Sequence, residues 1–422
     1  METLAFTETI PVRGSYDVIV AGGGVAGVAA ALAARRSGKS VLLVEKTVLL
    51  GGLATIGLIN YFVPMCNGRG TKIIYGMADE LLELSIKYGY DSIPKEWREG
   101  EPGQGKTNVR YVTRYSPYIF ALAMTDLLAR EGITMLFDCI VANVVMDGTH
   151  CRGLIMESKS GREFYGAGMV VDTTGDADVL YRAGVPTVQG HNYFTYVGKT
   201  VTLESCKAAV EAQNIQKAFG GCSGGGANLY GGNHPEGMPF FTGTTVESVN
   251  DYLIKNQLLL FSKLKDQSRI SRDVAMLPTM AQFRTTRRID GDYTLTVADQ
   301  YRHFDDSVGA ICDFEQRDFL YEVPYRVLIR KNYDNIITAG RSASGDGYGW
   351  DLLRVIPPAI LTGQAAGLAA AMALDGKQAI SDICVPTLQQ QMAASKVMIH
   401  FDDALIPQPG TDSSVADNNG HI

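Results

Sequence analysis

The stretch YDVIVAGGGVAGVAAALAARRSGKSVLLVEK, residues 16–46, constrains the fold of this chain more than any other. Tyr16 to Ala21 is a short apolar run of the kind that forms a strand buried on both faces. Val25 to Arg36, rich in Ala, Val and Leu, predicts a helix. Gly22, Gly24 and Gly27 join the two in G-x-G-x-x-G spacing. The first glycine permits a tight turn, the second leaves room for a pyrophosphate against the backbone, and the third lets the helix pack close to the strand. A phosphate so placed faces the free N–H groups of the helix N-terminus. Val41 to Val44 predicts a second buried strand, ended by Glu45 about 20 residues after the glycines, where a carboxylate accepts from ribose hydroxyls. That placement favours an adenosine ribose without a 2′-phosphate. Glycine turns are common by themselves. Strand, glycines, helix, strand and acid in this order predict a dinucleotide site.

The 422 residues are 46% hydrophobic and 20% charged, enough for a sizeable core and for more than one unit. A net charge of −7 argues against a nucleic-acid partner, which needs a basic surface. No apolar run is expected to reach the length of a membrane span. The N-terminus, METLAFTETIPVRGSYD, has acids and no basic start before an apolar core, which predicts no secretory signal and a cytoplasmic location. Cys66, Cys139, Cys151, Cys206, Cys222, Cys312 and Cys384 are scattered without a C-x-x-C pair, so they predict free, mostly buried thiols and no iron–sulfur cluster or structural zinc, and no metal site is expected.

After Glu45, Gly51, Gly52 and Gly57 bracket a short polar step whose N–H groups either reach a flavin or its ribityl chain, or make an ordinary turn. Residues 72–88 predict an amphipathic helix with Ile73, Met77, Leu81, Leu84 and Ile86 on its core side, followed by a surface excursion over 89–108. A helix over Tyr118 to Arg130 precedes short β segments over 133–171. These run into DTTGDADVL, where Asp176 either faces a cofactor or caps a helix from Ala177. From Gly190 to Met276 the texture changes: helices over Ser205 to Ala218 and Val246 to Leu264 flank a glycine-rich loop, predicting an inserted domain with a lid. Arg284, Arg287 and Arg288 then cluster in a strand-like stretch, either to hold an anion or flavin or to form surface salt bridges. Asn335 to Ala339 predicts a buried strand, Gly340 to Gly349 a glycine-rich loop, and Pro357 with Pro358 the start of a long apolar helix. That helix would aim a second N-terminus at the same ligand. A short helix over Pro386 to Val397 and a disordered tail close the chain.

The motifs GGGVAG, LLVEK, GGLATIG, VVDTTGDADV, RRIDGDYTLTVAD and NIITAGRSAS…RVIPPAILTGQAAG together resemble the FAD-dependent oxidoreductase family of glutathione-reductase-like flavoproteins. The match is in register from residue 16 to about residue 397 apart from the inserted region. The resemblance implies an α/β fold: a Rossmann-like FAD-binding domain over 14–189 and 277–398, an inserted α+β substrate domain over 190–276, and a disordered tail over 399–422. It implies extended, non-covalent FAD, and no histidine or cysteine stands in GGLATIG to form a covalent link. Carried over by position, Gly22, Gly24 and Gly27 hold the pyrophosphate, Glu45 the ribose, and Val141 the adenine. Gly52, Ala54 and Thr55 line the ribityl and flavin, with Gly340, Arg341 and Gly363 opposite. Val25, Ala26, Lys46, Leu53, Thr174, Gly175 and Asp176 complete the cofactor-binding set.

Departures from the family pattern bear on the chemistry. The loop Gly347, Tyr348, Gly349, Trp350 lacks the histidines of many relatives, and Phe314 and Glu315 follow Asp313 where a histidine is often found. The catalytic acid or base therefore does not carry over, and Tyr348, Asp351, Arg354 and His191 are the candidates, with Arg354 expected at the start of the second long helix as a carboxylate clamp or a partner of Asp351 or Asp346. The leading expectation is hydride transfer between flavin N5 and a small organic substrate, with room for a separate electron donor or acceptor and with no nucleic-acid or membrane partner. The alternatives are non-redox flavin chemistry, mutase-like or RNA-modifying, and a nucleotide-binding module without catalysis.

Overall fold

The computed structural model describes residues 4–90, 92–93 and 112–408. A seven-stranded sheet lies at its centre, in the order Thr134–Leu136, Val41–Val44, Val12–Ala21, Gly161–Asp172, His150–Ser158 and Ile140–Asp147, with Ile336–Thr338 also paired to Gly161–Asp172. The inner strands are parallel, with Ile19 opposite both Leu42 and Val170. Their apolar runs are buried because helices cover one face and the antiparallel strands curl over the other. This α/β arrangement carries Gly22 and Glu45 to the ends of adjacent strands, on the same edge of the sheet.

The helix Val25–Arg36 is buried along its first ten residues, Val25 to Ala34. Against it packs the helix Ile356–Gly376, which opens with Pro357 and Pro358 and is buried on nearly every side. Small residues set their separation. A Cβ on Gly363 would lie 2.2 Å from the Ala26 carbonyl oxygen, and one on Gly367 would lie 2.2 Å from that of Ala30. Ile356–Gly376 is also long and apolar enough to cross a membrane, contrary to the expectation from the sequence, but it is mostly buried inside the fold as a core helix.

The region after Gly190 builds a three-stranded antiparallel sheet, ordered Gly220–Gly226, Thr195–Thr202, Arg272–Met276, flanked by helices Leu203–Glu211 and Val246–Lys265. Phe194, Tyr196, Phe241, Tyr252, Leu260 and Phe283 form an apolar cluster of their own there. The strands Thr187–Gln189 and Arg287–Ile289 pair at its base.

Several boundaries differ from the sequence expectation. The helix foreseen from residue 72 starts at Met77, because Gly76 turns at φ 72° just before it; Ile73 and Ile74 are still buried. The helix foreseen to Ala218 stops at Glu211, where Gln213 enters the left-handed region at φ 49°. Residues 399–408 are not a loose tail: Phe401 is buried and Asp402 caps a turn over Asp403–Leu405. Residues 409–422, and 91 with 94–108 of the foreseen surface excursion, lie outside the described residues. All seven cysteines are free, and four of them are buried.

We predict that Gly363→Ala destabilises the protein by about 1–3 kcal/mol, because the methyl has nowhere to go without separating the two helices. Urea unfolding of the two proteins checks this. An unchanged midpoint would show that the helices do not meet there.

Candidate functional site

A cavity opens at the edge of the sheet where Gly22 and Glu45 end their strands. Gly22 makes the first turn at φ 104°, and a Cβ on it would meet the Thr173 carbonyl oxygen at 2.4 Å. A Cβ on Gly24 would meet no protein atom within 4 Å, since its Cα faces the open cavity. Gly27 lies beneath: a Cβ there would lie 1.9 Å from the Gly22 oxygen, so its role is helix–strand packing. Glu45 is buried and held from both sides. Its Oε2 accepts from Gly23 N–H at 2.7 Å, and its Oε1 accepts from the Thr47 N–H at 2.8 Å and hydroxyl at 2.7 Å.

Of the residues singled out for a cofactor, Gly22, Gly24, Val25, Ala26, Glu45, Lys46, Gly52, Leu53, Ala54, Val141, Thr174, Gly175, Gly340 and Arg341 line this one cavity. Two helix N-termini border it, through Val25 and Ala26 on one side and Ile356 and Ala359 on the other. Four residues do not line it. Besides Gly27, Thr55 is fully buried with its hydroxyl donating to the Leu50 carbonyl at 2.5 Å. Gly363 is spent on the helix contact with Ala26. Asp176 neither lines the cavity nor caps a helix, for the cap position is Ala177.

Asp176 instead sits behind the wall as a counter-ion. Its carboxylate is 3.1 Å from Arg341 and 3.6 Å from Lys46, and it accepts from the Thr286 hydroxyl at 2.7 Å. Burial disfavours its charge, yet Arg341, Lys46, the Thr286 hydroxyl and Arg287 hold its carboxyl below the ordinary value. Arg341 is further fixed by donating to the Phe283 carbonyl at 2.9 Å.

A second cavity, lined also by Thr195, Val197 and Tyr230, adjoins the first and shares Leu53, Ala54, Arg354 and Ile356 with it. Arg354 stands at the end of the short helix Tyr348–Arg354, not at the start of the next one, and its guanidinium pairs with Asp351, with Nε at 2.5 Å. Gln282 joins the two regions: its amide donates to the Gly57 carbonyl at 2.7 Å and the Val197 carbonyl at 2.9 Å. Tyr230 from the glycine-rich loop stacks on Tyr348, with centroids 6.2 Å apart, and pairs with Glu315. The Tyr348 hydroxyl donates to buried Asp313 at 2.7 Å. Burial first, and Asp313 second, push the Tyr348 phenol far up, so it is a neutral donor.

The arginine cluster divides. Arg287 donates to Asp178 at 2.8 Å and lies over the Tyr181 ring, while Arg288 approaches Asp346 at 3.7 Å. Arg284 faces the second cavity, and its buried Nη1 has no hydrogen-bond partner. Burial, and Arg354 beside it, lower its pKa to about 10. Asp351, Tyr348 and His191 also line a pocket on the Arg284 side, away from the glycine turn; the exposed His191 ring lies 4.9 Å from that of Phe240. Sequence reasoning missed Thr47, Tyr230, Gln282 and Met280, the last of which lines the first cavity, and none of them carries a motif. Only Thr47, two residues after the acid, had a local signal.

The profile of the FAD dependent oxidoreductase family matches residues 17–224 and 241–392, and the chain belongs to that family. The cofactor of that family is FAD. A thioredoxin reductase from Ureaplasma parvum is 32% identical over 77 residues, which are 18% of this chain and 25% of that protein. The chain thus spans a quarter of that relative's length. Among solved structures, L-proline dehydrogenase from P. horikoshii has a TM-score of 0.40 at 13% identity, covering 92% of this chain and 100% of that one. For p-nitrophenol 4-monooxygenase from Pseudomonas putida the TM-score is 0.43 at 13% identity, covering 93% of this chain and 91% of that one.

We predict that Tyr348→Phe costs about 1–3 kcal/mol of stability, since a buried carboxylate loses a donor. The variant should also leave the alkaline tyrosinate titration unchanged over the range in which ordinary tyrosines ionise. Loss of one tyrosine from that titration would contradict the buried Tyr348–Asp313 contact.

Proposed function

We propose that this enzyme exchanges hydride between flavin N5 and a small organic acid whose carboxylate is held by Arg284. The observation that carries the reading is the buried, unpartnered Nη1 of Arg284 in a cavity that shares Leu53, Ala54, Arg354 and Ile356 with the cofactor cavity. A guanidinium drawn out of water without a partner calls for an anion, and its planar fork matches a carboxylate.

The cradle fits FAD. Space left by Gly24 and the N–H groups at the start of Val25–Arg36 suit the pyrophosphate. The remaining lone pairs of Glu45 suit the ribose hydroxyls, and Val141 stands where the adenine would lie. Gly52, Leu53 and Ala54 reach both cavities through Leu53 and Ala54, which suits the flavin end of the cofactor. Bound in this way, FAD supplies two-electron chemistry at N5. The chain supplies the rest. Arg284 fixes one end of the substrate, Arg354 is kept in place by Asp351, and the Tyr230–Tyr348 stack walls off water. A separate electron acceptor or donor completes the turnover.

Gly24→Val should abolish FAD binding, because the side chain fills the phosphate space, whereas Glu45→Gln should only weaken it. FAD-to-protein ratios measure both, and equal content in Gly24→Val and wild type would exclude this turn as the phosphate site. Arg284→Met should keep normal FAD content while losing about 10–100-fold in affinity for small carboxylates, the worth of a charged hydrogen bond of about 1.5–3 kcal/mol. Titrating a panel of organic acids against the flavin spectrum reads this. Carboxylates that perturb wild type and variant equally would remove Arg284 from the substrate site.

A further inference from the structure

Outside the cofactor cavity, two imidazoles converge on one fully buried carboxylate. Glu322 lies in the strand Leu320–Pro324, with 0% exposure. His303 Nδ1 is 2.5 Å from its Oε1, and His400 Nδ1 is 3.0 Å from both of its oxygens. The three ligand atoms lie within 4.8 Å of one another. The sequence separates these residues widely, and no spacing motif announces them.

Proton counting makes the arrangement more than a packing contact. His303 Nε2 is 2.8 Å from Asp403 Oδ1, so both of its ring nitrogens face carboxylates. A neutral imidazole has one N–H to give. If Nε2–H serves Asp403, Nδ1 meets the carboxylate either as the second N–H of an imidazolium or with a bare lone pair that a metal cation can take. A carboxylate holding the far nitrogen of a metal-bound histidine is the usual way to fix its tautomer. The buried Glu322 charge also needs compensation, of which the Phe304 N–H, donating to Oε2 at 2.8 Å, supplies only part. Both histidines are partly exposed, which leaves an entry path and room for a water as a further ligand.

We propose that His303, Glu322 and His400 bind a divalent transition-metal ion, with Asp403 orienting His303. Two imidazoles and a carboxylate suit zinc and its first-row neighbours, with bonds of about 2.0–2.2 Å and an open fourth position. Ligand atoms in such a site stand roughly 3.3 Å apart by tetrahedral geometry, so the exposed rings would withdraw slightly from Glu322 to admit the ion. None of the three lines the cofactor cavity. The ion would instead tie the segment after Val397, which carries His400 and Asp403, to the strand that carries Glu322.

The test uses tag-free, FAD-loaded full-length protein, stripped with a chelator, dialysed and titrated with Zn²⁺ by calorimetry and metal analysis. One zinc per chain is expected, raising the unfolding midpoint, with loss of binding in His303→Gln and His400→Gln. Asp403→Asn should weaken it 10–100-fold. All three variants should retain wild-type FAD content, which reports an intact fold. No zinc bound by the wild type would overturn the site and leave a protonated histidine as the cation. Binding that survives both histidine variants would place the metal elsewhere and overturn it equally.

Discussion

The close approach of two small-residue helices is what the rest of the structure depends on. Val25–Arg36 and Ile356–Gly376 come from opposite ends of the chain, and Gly363 and Gly367 let the second ride directly on the carbonyls of Ala26 and Ala30. Because they pack so closely, both N-termini open onto one cavity. Each end leaves backbone N–H groups without intrahelical partners and a partial positive charge, which favours an anionic or electron-rich ligand between them. Ile336–Thr338 pairs with Gly161–Asp172 in the central sheet, so the cavity gathers residues from the beginning, middle and end of the chain.

Within that frame most charges are answered locally. Arg341 has Asp176, Arg354 has Asp351, and Asp313 receives the Tyr348 hydroxyl. These pairs are costly to bury and are kept because removing one partner strands the other. Arg272, Arg288, Arg317 and Arg284 each keep one buried guanidinium nitrogen without a hydrogen-bond partner, and of these four only Arg284 lines the second cavity. The substrate reading rests on that placement.

The dinucleotide half of the molecule was legible in the sequence because its constraints are local. Gly22 and Glu45 are fixed by the strand ends that carry them, and Pro357 and Pro358 mark the start of the second helix. Other readings failed where tertiary context decides. Thr55 and Gly363 stand in motifs next to the cofactor segment, but their side faces turn to Leu50 and Ala26. Asp176 reads as a cap or a cofactor contact, yet Arg341, more than 160 residues later, claims it. His303, Glu322 and His400 lie on three separate segments, so no window of sequence contains them together.

Absorbance of the purified full-length protein, recorded anaerobically before and after dithionite, tests the central claim most directly. A cavity between two helix N-termini that holds FAD predicts an oxidised-flavin band corresponding to one FAD per chain, bleached on reduction and restored by air. A colourless, folded protein that stays without flavin after incubation with excess FAD would contradict the account.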